Sequence, residues 1–179
     1  MDIKIISIGQ LEKGDIILST TDGMLSRLVK FATNSKYSHA RIYTGSERAI
    51  EAIDPIIVED KLIDLISGDL YTAVYRHRNL TEVQRLQIVH YATQQLGKDY
   101  DLSGAIGTSN SGLLPIVAAK IHNSLDAEYD FYCSELIAFA YKNARTPLSQ
   151  SSSQVTPRDL AKNKNLQYIG HLKITKVKN

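Results

Sequence analysis

The chain has no tryptophan, a single cysteine, four prolines and three phenylalanines among its 179 residues. One cysteine excludes an intramolecular disulfide framework and a Cys-rich zinc site. Neither sign of charge dominates: 21 basic against 19 acidic side chains leave a formal net charge of +2. That argues against a partner held by bulk electrostatics, such as duplex nucleic acid or an anionic membrane surface. No stretch approaches the ~20 apolar residues that span a bilayer; the longest, "GLLPIVAAKI" at 112–121, is interrupted by Pro115. The opening "MDIKIISIGQLEKGD" lacks the apolar core and small-residue cleavage site of a Sec signal. Cytoplasmic synthesis is expected, with export by a signal-independent route left open. Also missing are HExxH, a His/Cys cluster, GxGxxG after a strand and GxxxxGK[ST], so neither a metal nor a nucleotide cofactor is expected.

What is present describes one soluble domain. Apolar residues make up 43% and charged residues 22%, ordinary for a globular protein, and the length suits a single unit over 1–179. No internal repeat or linker divides it; "SQSSSQ" at 149–154 is a polar loop. "DIILST" (15–20) reads as a buried strand and "GMLSRLVKFAT" (23–33) as an amphipathic helix. Two β-like runs, 39–43 and 48–53, flank "TGSE" and predict a hairpin. "LYTAVYRH" (70–77) predicts a strand. In "TEVQRLQIVHYATQQLG" (81–97), Thr81 and Gln84 form a capping-box pattern and Gly97 can close the helix. Its apolar stripe is read as Val83, Leu86, Val89 and Leu96. "CSELIAFAYKNA" (133–144) places Leu136, Ile137, Ala140 and Tyr141 at core spacing, and "TPRDLAKN" opens with Thr156 as N-cap and Pro157 in the first turn. The runs "LQYIG" and "HLKITKV" read as two final strands, with Lys173, Lys176 and Lys178 facing outward. Helices and mostly antiparallel strands in separate blocks give an α+β domain. The ten tyrosines are scattered and fit core packing better than a stacking surface for nucleic acid or sugar.

The chemistry centres on the cysteine. Cys133 opens its predicted helix, where free backbone N–H groups and the helix dipole favour a thiolate and can hold a developing oxyanion. A buried structural thiol is the competing reading. A thiolate nucleophile needs an imidazole as base and then acid. Of five histidines, His77 lies between Arg76 and Arg78, His90 lies inside a helix, and His122 and His171 lack a polar partner in sequence. His39 opens "HARIY", a strand rigid enough to aim a ring, although a satisfied structural histidine fits there too. Glu51 sits between Ile50 and Ala52 on the next strand, and a carboxylate in an apolar strand asks for a partner. In a hairpin turning between 45 and 46, His39 faces Ala52 with Glu51 on the diagonal; a bulge near Gly45 would bring His39 and Glu51 directly across. An outward-facing carboxylate on an alternating strand remains the alternative for Glu51.

The ordered set "GDIIL" (14–18), "SHARIYTG" (38–45), "AIEAI" (49–53), "LGKDYD" (96–101) and "FYCSEL" (131–136), followed by "VTPRDLAKN", resembles the permuted papain-like enzymes of the NlpC/P60 superfamily, in their YiiX/YaeF/YebB-like branch. Papain-like enzymes place cysteine before histidine; here His39 precedes Cys133, as a circular permutation gives. The resemblance implies a helix carrying the nucleophile packed on an antiparallel sheet carrying the histidine. It implies Cys133 as nucleophile, His39 as base and Glu51 as third polar residue. It places Tyr100 near the substrate or oxyanion, and Tyr132 and Ser134, which flank the thiol, are taken as substrate-binding. The implied activity is that of a cysteine amidase or peptidase working through a thioester, with a peptide amide of bacterial peptidoglycan as the usual substrate. Lipid acyltransferases and thioesterases share the fold, but the chain lacks the Asn-Cys-Glu-His box of the lecithin:retinol acyltransferase-like relatives. A non-catalytic binding module is the remaining alternative. Should the protein be exported as an antibacterial effector, a cognate immunity protein is the expected partner; no nucleic-acid partner is expected.

Overall fold

The computed structural model describes residues 3–21, 26–27, 30, 34–53, 56–98, 129–152 and 155–173, with backbone alone for 53 and 129–132. Seven strands form one sheet in the order β1-β7-β6-β2-β3-β4-β5. They are β1 (Ile5–Ile6), β2 (Ile16–Thr20), β3 (His39–Gly45), β4 (Arg48–Ile53), β5 (Ile56–Lys61), β6 (Tyr71–His77) and β7 (Leu166–Leu172). Among the described residues, the α-helices that accompany them include α1 (Leu62–Leu65), α2 (Glu82–Thr93), α3 (Tyr129–Asn143) and α4 (Pro157–Ala161). Only the β1–β7 pair is parallel; the other neighbours are antiparallel. The α+β expectation holds.

Strand alternation divides the core between the two faces of the sheet. Ile16, Leu18, Ala40, Ile42, Ile50, Ala52 and Ala73 share a buried cluster with Ile88 and Ala92 of α2 and with Cys133, Leu136, Ile137, Ala140 and Tyr141 of α3. The opposite face gathers Ile17, Tyr43, Ala49 and Val74 with Leu62 and Ile66 at α1. Tyr141, fully buried, donates its hydroxyl to the Gly14 carbonyl at 2.6 Å and so ties α3 to the turn that launches β2.

Several local expectations stand and others need correcting. Thr81 caps α2 through its capping box with Gln84, and Thr156 caps α4 with Pro157 in the first turn. The stripe on α2 is rotated, however: Val83 and Leu86 are 65% and 47% exposed, and Ile88 and Ala92 face inward. Polar contacts fix that rotation, because Arg85 reaches Glu12 and the Lys13 carbonyl while Gln84 reaches the Ala144 carbonyl. The two final runs are one strand at 166–172, since Gly170 keeps an extended backbone (φ 158°) and does not interrupt it. Strand β5, with Glu59, Asp60 and Lys61, was not expected. Most of the helix read at 23–33, the apolar run 112–121 and residues 174–179 lie outside the described residues. No helix among the described residues is long and apolar enough to cross a membrane.

Candidate active site

The hairpin β3–β4 builds the polar half of the site. Its loop is Ser46–Glu47, both with positive φ (50° and 60°), the signature of a tight two-residue turn that matches the twist of the strands. Thr44 is the extra residue of a bulge between Tyr43 and Gly45, and Gly45 supports it with φ 102°. Beyond the bulge Tyr43 pairs with Ala49 and Ile42 with Ile50, so the register continues with Arg41, not His39, across from Glu51. The bulge near Gly45 is real, but it moves the register the other way: His39 is the diagonal neighbour of Glu51 on the same face. That suffices for contact. His39 Nε2 lies 2.8 Å from Glu51 Oε2.

Glu51 is 3% exposed and His39 17% exposed at the side chain. Arg41 donates through Nε to the same Glu51 oxygen. Burial alone would raise the Glu51 carboxyl, but the His39 hydrogen bond and the Arg41 charge outweigh it and hold the group below the usual carboxylate range. Glu51 is therefore an ionised acceptor with two donors, and the outward-facing alternative does not apply. Asp69, just before β6, accepts from Arg41 Nη1 at 2.9 Å. It is pushed above its ordinary value, burial outweighing the Arg41 charge. Sequence reasoning missed both Arg41 and Asp69: "HARIY" shows a charge in an apolar strand, as "AIEA" does, but nothing links it to a residue 28 positions away.

The thiol enters from the helix layer. Cys133 is 1% exposed within the cluster that includes Ala40, the residue next to His39. α3 begins at Tyr129, so Cys133 is not in the first turn as expected. "YDFY" holds no helix breaker, and Asp130 suits a helix N-terminus. At the fifth position the Cys133 N–H belongs to the intrahelical ladder, and the helix dipole has weakened. Ser134 is fully buried, its Oγ 4.0 Å from the sulfur. The Tyr132 side chain and all of Tyr100 lie outside the described residues. Glu135, two positions on, is 4% exposed, its Oε2 has no hydrogen-bond partner among the described residues, and burial pushes its carboxyl up to about 8.

His77 and His171 show structural surroundings, and His90 is exposed on α2. His77 is buried between Thr146 Oγ1 and the Asn79 amide, and burial lowers its basicity. His171 belongs to an aromatic cluster with Tyr71 and Tyr168.

A sequence profile described as a permuted papain-like amidase of the YaeF/YiiX type, C92 family, matches residues 10–110. The chain belongs to this family. It is 25% identical over 203 residues to the "Probable lipoprotein peptidase YaeF" of Escherichia coli, covering 96% of this chain and 74% of that one. The crystal structure described as metalloprotein YiiX from Escherichia coli O157:H7 superposes with a TM-score of 0.64 at 18% identity, covering 90% and 97% of the two chains. That likeness supports the fold, and with the family it makes this chain a permuted papain-like peptidase or amidase. Among the described residues, no three histidine, cysteine or acidic side chains are gathered as ligands for a metal ion.

Proposed function

We propose that the protein is a cysteine hydrolase of amide bonds, with Cys133 as nucleophile, His39 as base and Glu51 as the group that orients the imidazole. The observation that carries this reading is the 2.8 Å His39–Glu51 contact, made by a nearly buried carboxylate to the first residue of a strand. With Glu51 on Nε2, the other ring nitrogen is left to meet the thiol. Strand alternation turns His39 and Glu51 away from α3, so sulfur and imidazole must meet around the end of β3, where His39 is the first residue. The thiolate attacks the carbonyl carbon, forming the C–S bond. Collapse of the tetrahedral adduct breaks the C–N bond while the imidazolium protonates the departing amine. Water, deprotonated by the same imidazole, then cleaves the thioester. Glu51 supplies the counter-charge for the imidazolium in both steps.

A peptide amide, as in peptidoglycan stem peptides, is the preferred substrate; a lipid acyl group is the other chemistry to test. Folded protein should alkylate rapidly at Cys133 near neutral pH, and His39→Ala should abolish the acceleration. Slow alkylation indifferent to His39 refutes the nucleophile reading. Mass spectrometry of peptidoglycan fragments and, separately, of phospholipids after incubation with wild type or Cys133→Ala decides the substrate. Cleavage of lipids alone would sink the amidase assignment.

A further inference from the structure

The proposed roles of Cys133, His39 and Glu51 leave the buried Arg41–Asp69 ion pair beside Glu51 without a role. Arg41 is 5% exposed. Nε donates to Glu51 Oε2, the oxygen that also faces His39. Nη1 donates to Ser19 Oγ at 2.7 Å and to Asp69 Oδ2 at 2.9 Å, and Nη2 to the Leu65 carbonyl at 2.9 Å. Its partners thus come from β2, β4, the end of α1 and the turn before β6. A planar fork held on all sides cannot swing, and neither can the carboxylate it grips.

The charge count matters as much as the geometry. With Glu51 as its only anion, Arg41 would draw that carboxylate into a simple ion pair and weaken it as an acceptor for imidazole. Asp69 takes the other end of the guanidinium. Two carboxylates against one guanidinium leave a surplus negative charge, and the next cation-forming group in contact is His39. Thr72 Oγ1, 3.4 Å from Asp69 Oδ2, and Ser19 add only neutral dipoles.

Taking the proposed roles of Cys133 and His39 as given, we propose that Arg41, backed by Asp69, is the positioning residue of this site. It fixes the Glu51 carboxylate against His39, while Asp69 keeps the guanidinium from neutralising it. The two carboxylates are displaced in opposite directions, Glu51 downward and Asp69 upward. Protonation of Asp69 would throw the whole Arg41 charge onto Glu51, so the hold on His39 depends on Asp69 staying ionised.

The test uses the full chain as wild type, Arg41→Lys, Arg41→Met, Asp69→Asn and His39→Ala, each checked for folding by circular dichroism. Two readouts are taken between about pH 5 and 9: the rate of Cys133 alkylation by iodoacetamide, and the NMR titration of the His39 ring. Arg41→Met should slow alkylation at least about tenfold near neutrality, with Arg41→Lys recovering part of the loss. Asp69→Asn should slow it less and displace the His39 ring titration. If Arg41→Met does not fold, Arg41→Lys and Asp69→Asn carry the test. Lower thermal stability with unchanged alkylation profile and unchanged His39 titration would make Arg41 merely structural and overturn the proposal. Should His39→Ala leave alkylation untouched, the nucleophile reading fails instead; an unmoved His39 titration in Arg41→Lys and Asp69→Asn would then overturn the positioning role as well.

Discussion

Glu135 offers the largest stability effect to be worked from a single group. The residue is 4% exposed, its Oε2 lacks a hydrogen-bond partner among the described residues, and burial raises its carboxyl from 4.5 to about 8. In the unfolded chain the group ionises above pH 4.5; in the folded chain it keeps its proton to about pH 8. Between those values the folded state binds the extra proton, so stability falls as pH rises, by about 1.4 kcal/mol per unit. The loss is absent below the unfolded value. It reaches roughly 3 kcal/mol at neutral pH and levels off near roughly 5 kcal/mol above the folded value. Against a typical total of about 5–15 kcal/mol this is large. Glu135→Gln removes the ionisation and keeps a polar end group of similar shape. Urea unfolding of both proteins across that range should show stabilities that agree in acid and diverge steadily in favour of Gln, with a midpoint shift of about 1–3 M near neutrality. Glu135→Met, which also removes the unpartnered oxygen, should be at least as stable as Gln. A Gln-minus-Glu difference that stays constant with pH would refute the reasoning, because every other titrating group cancels in it.

Two further substitutions test the packing that holds the site. Tyr141→Phe strands the buried Gly14 carbonyl, whose 2.6 Å partner is the Tyr141 hydroxyl; a loss of about 1–2 kcal/mol in urea unfolding is expected, and an unchanged midpoint would show that water replaces the hydroxyl. Gly170→Ala would put a Cβ 2.9 Å from the Lys4 carbonyl oxygen and 2.7 Å from Ile6 Cγ2. β1 should therefore be pushed off β7, seen as roughly tenfold faster hydrogen exchange at the His171 amide, which Lys4 accepts at 2.7 Å; unaltered exchange would mean that the strand accommodates the methyl.

Much of this architecture was legible because it is local. The Thr81 and Thr156 caps, the β3–β4 hairpin and the inward Leu136–Tyr141 stripe follow from signals within a few residues of each element. Glu51 announced its need for a partner through its apolar neighbours. What escaped notice is relational. Strand β5 hides behind Glu59–Asp60–Lys61, charges that belong to an edge strand and are used there: Glu59 accepts from Thr44 and pairs with Arg48. The α2 stripe misled because apolar Val83 and Leu86 lie on the face that Arg85 and Gln84 turn outward by their own bonds. Asp69 sits in "SGDLY", which reads as a turn and nothing more.

The hairpin register and the helix start together move the source of thiol activation. Read from sequence, Cys133 lay in the first turn of its helix, and the helix terminus shared with His39 the work of making a thiolate. With α3 beginning at Tyr129, that contribution fades, since dipole effects are confined to the terminal turn. The bulge at Thr44 meanwhile sets Arg41 opposite Glu51 and gives the imidazole an acceptor that stays ionised. On the proposed roles, activation rests on one arm, running from Asp69 through Arg41 and Glu51 to His39, and only its last link was foreseen. Removing the imidazole should therefore return Cys133 to the reactivity of an ordinary buried thiol. Appreciable residual acceleration in His39→Ala would restore the helix terminus to the mechanism.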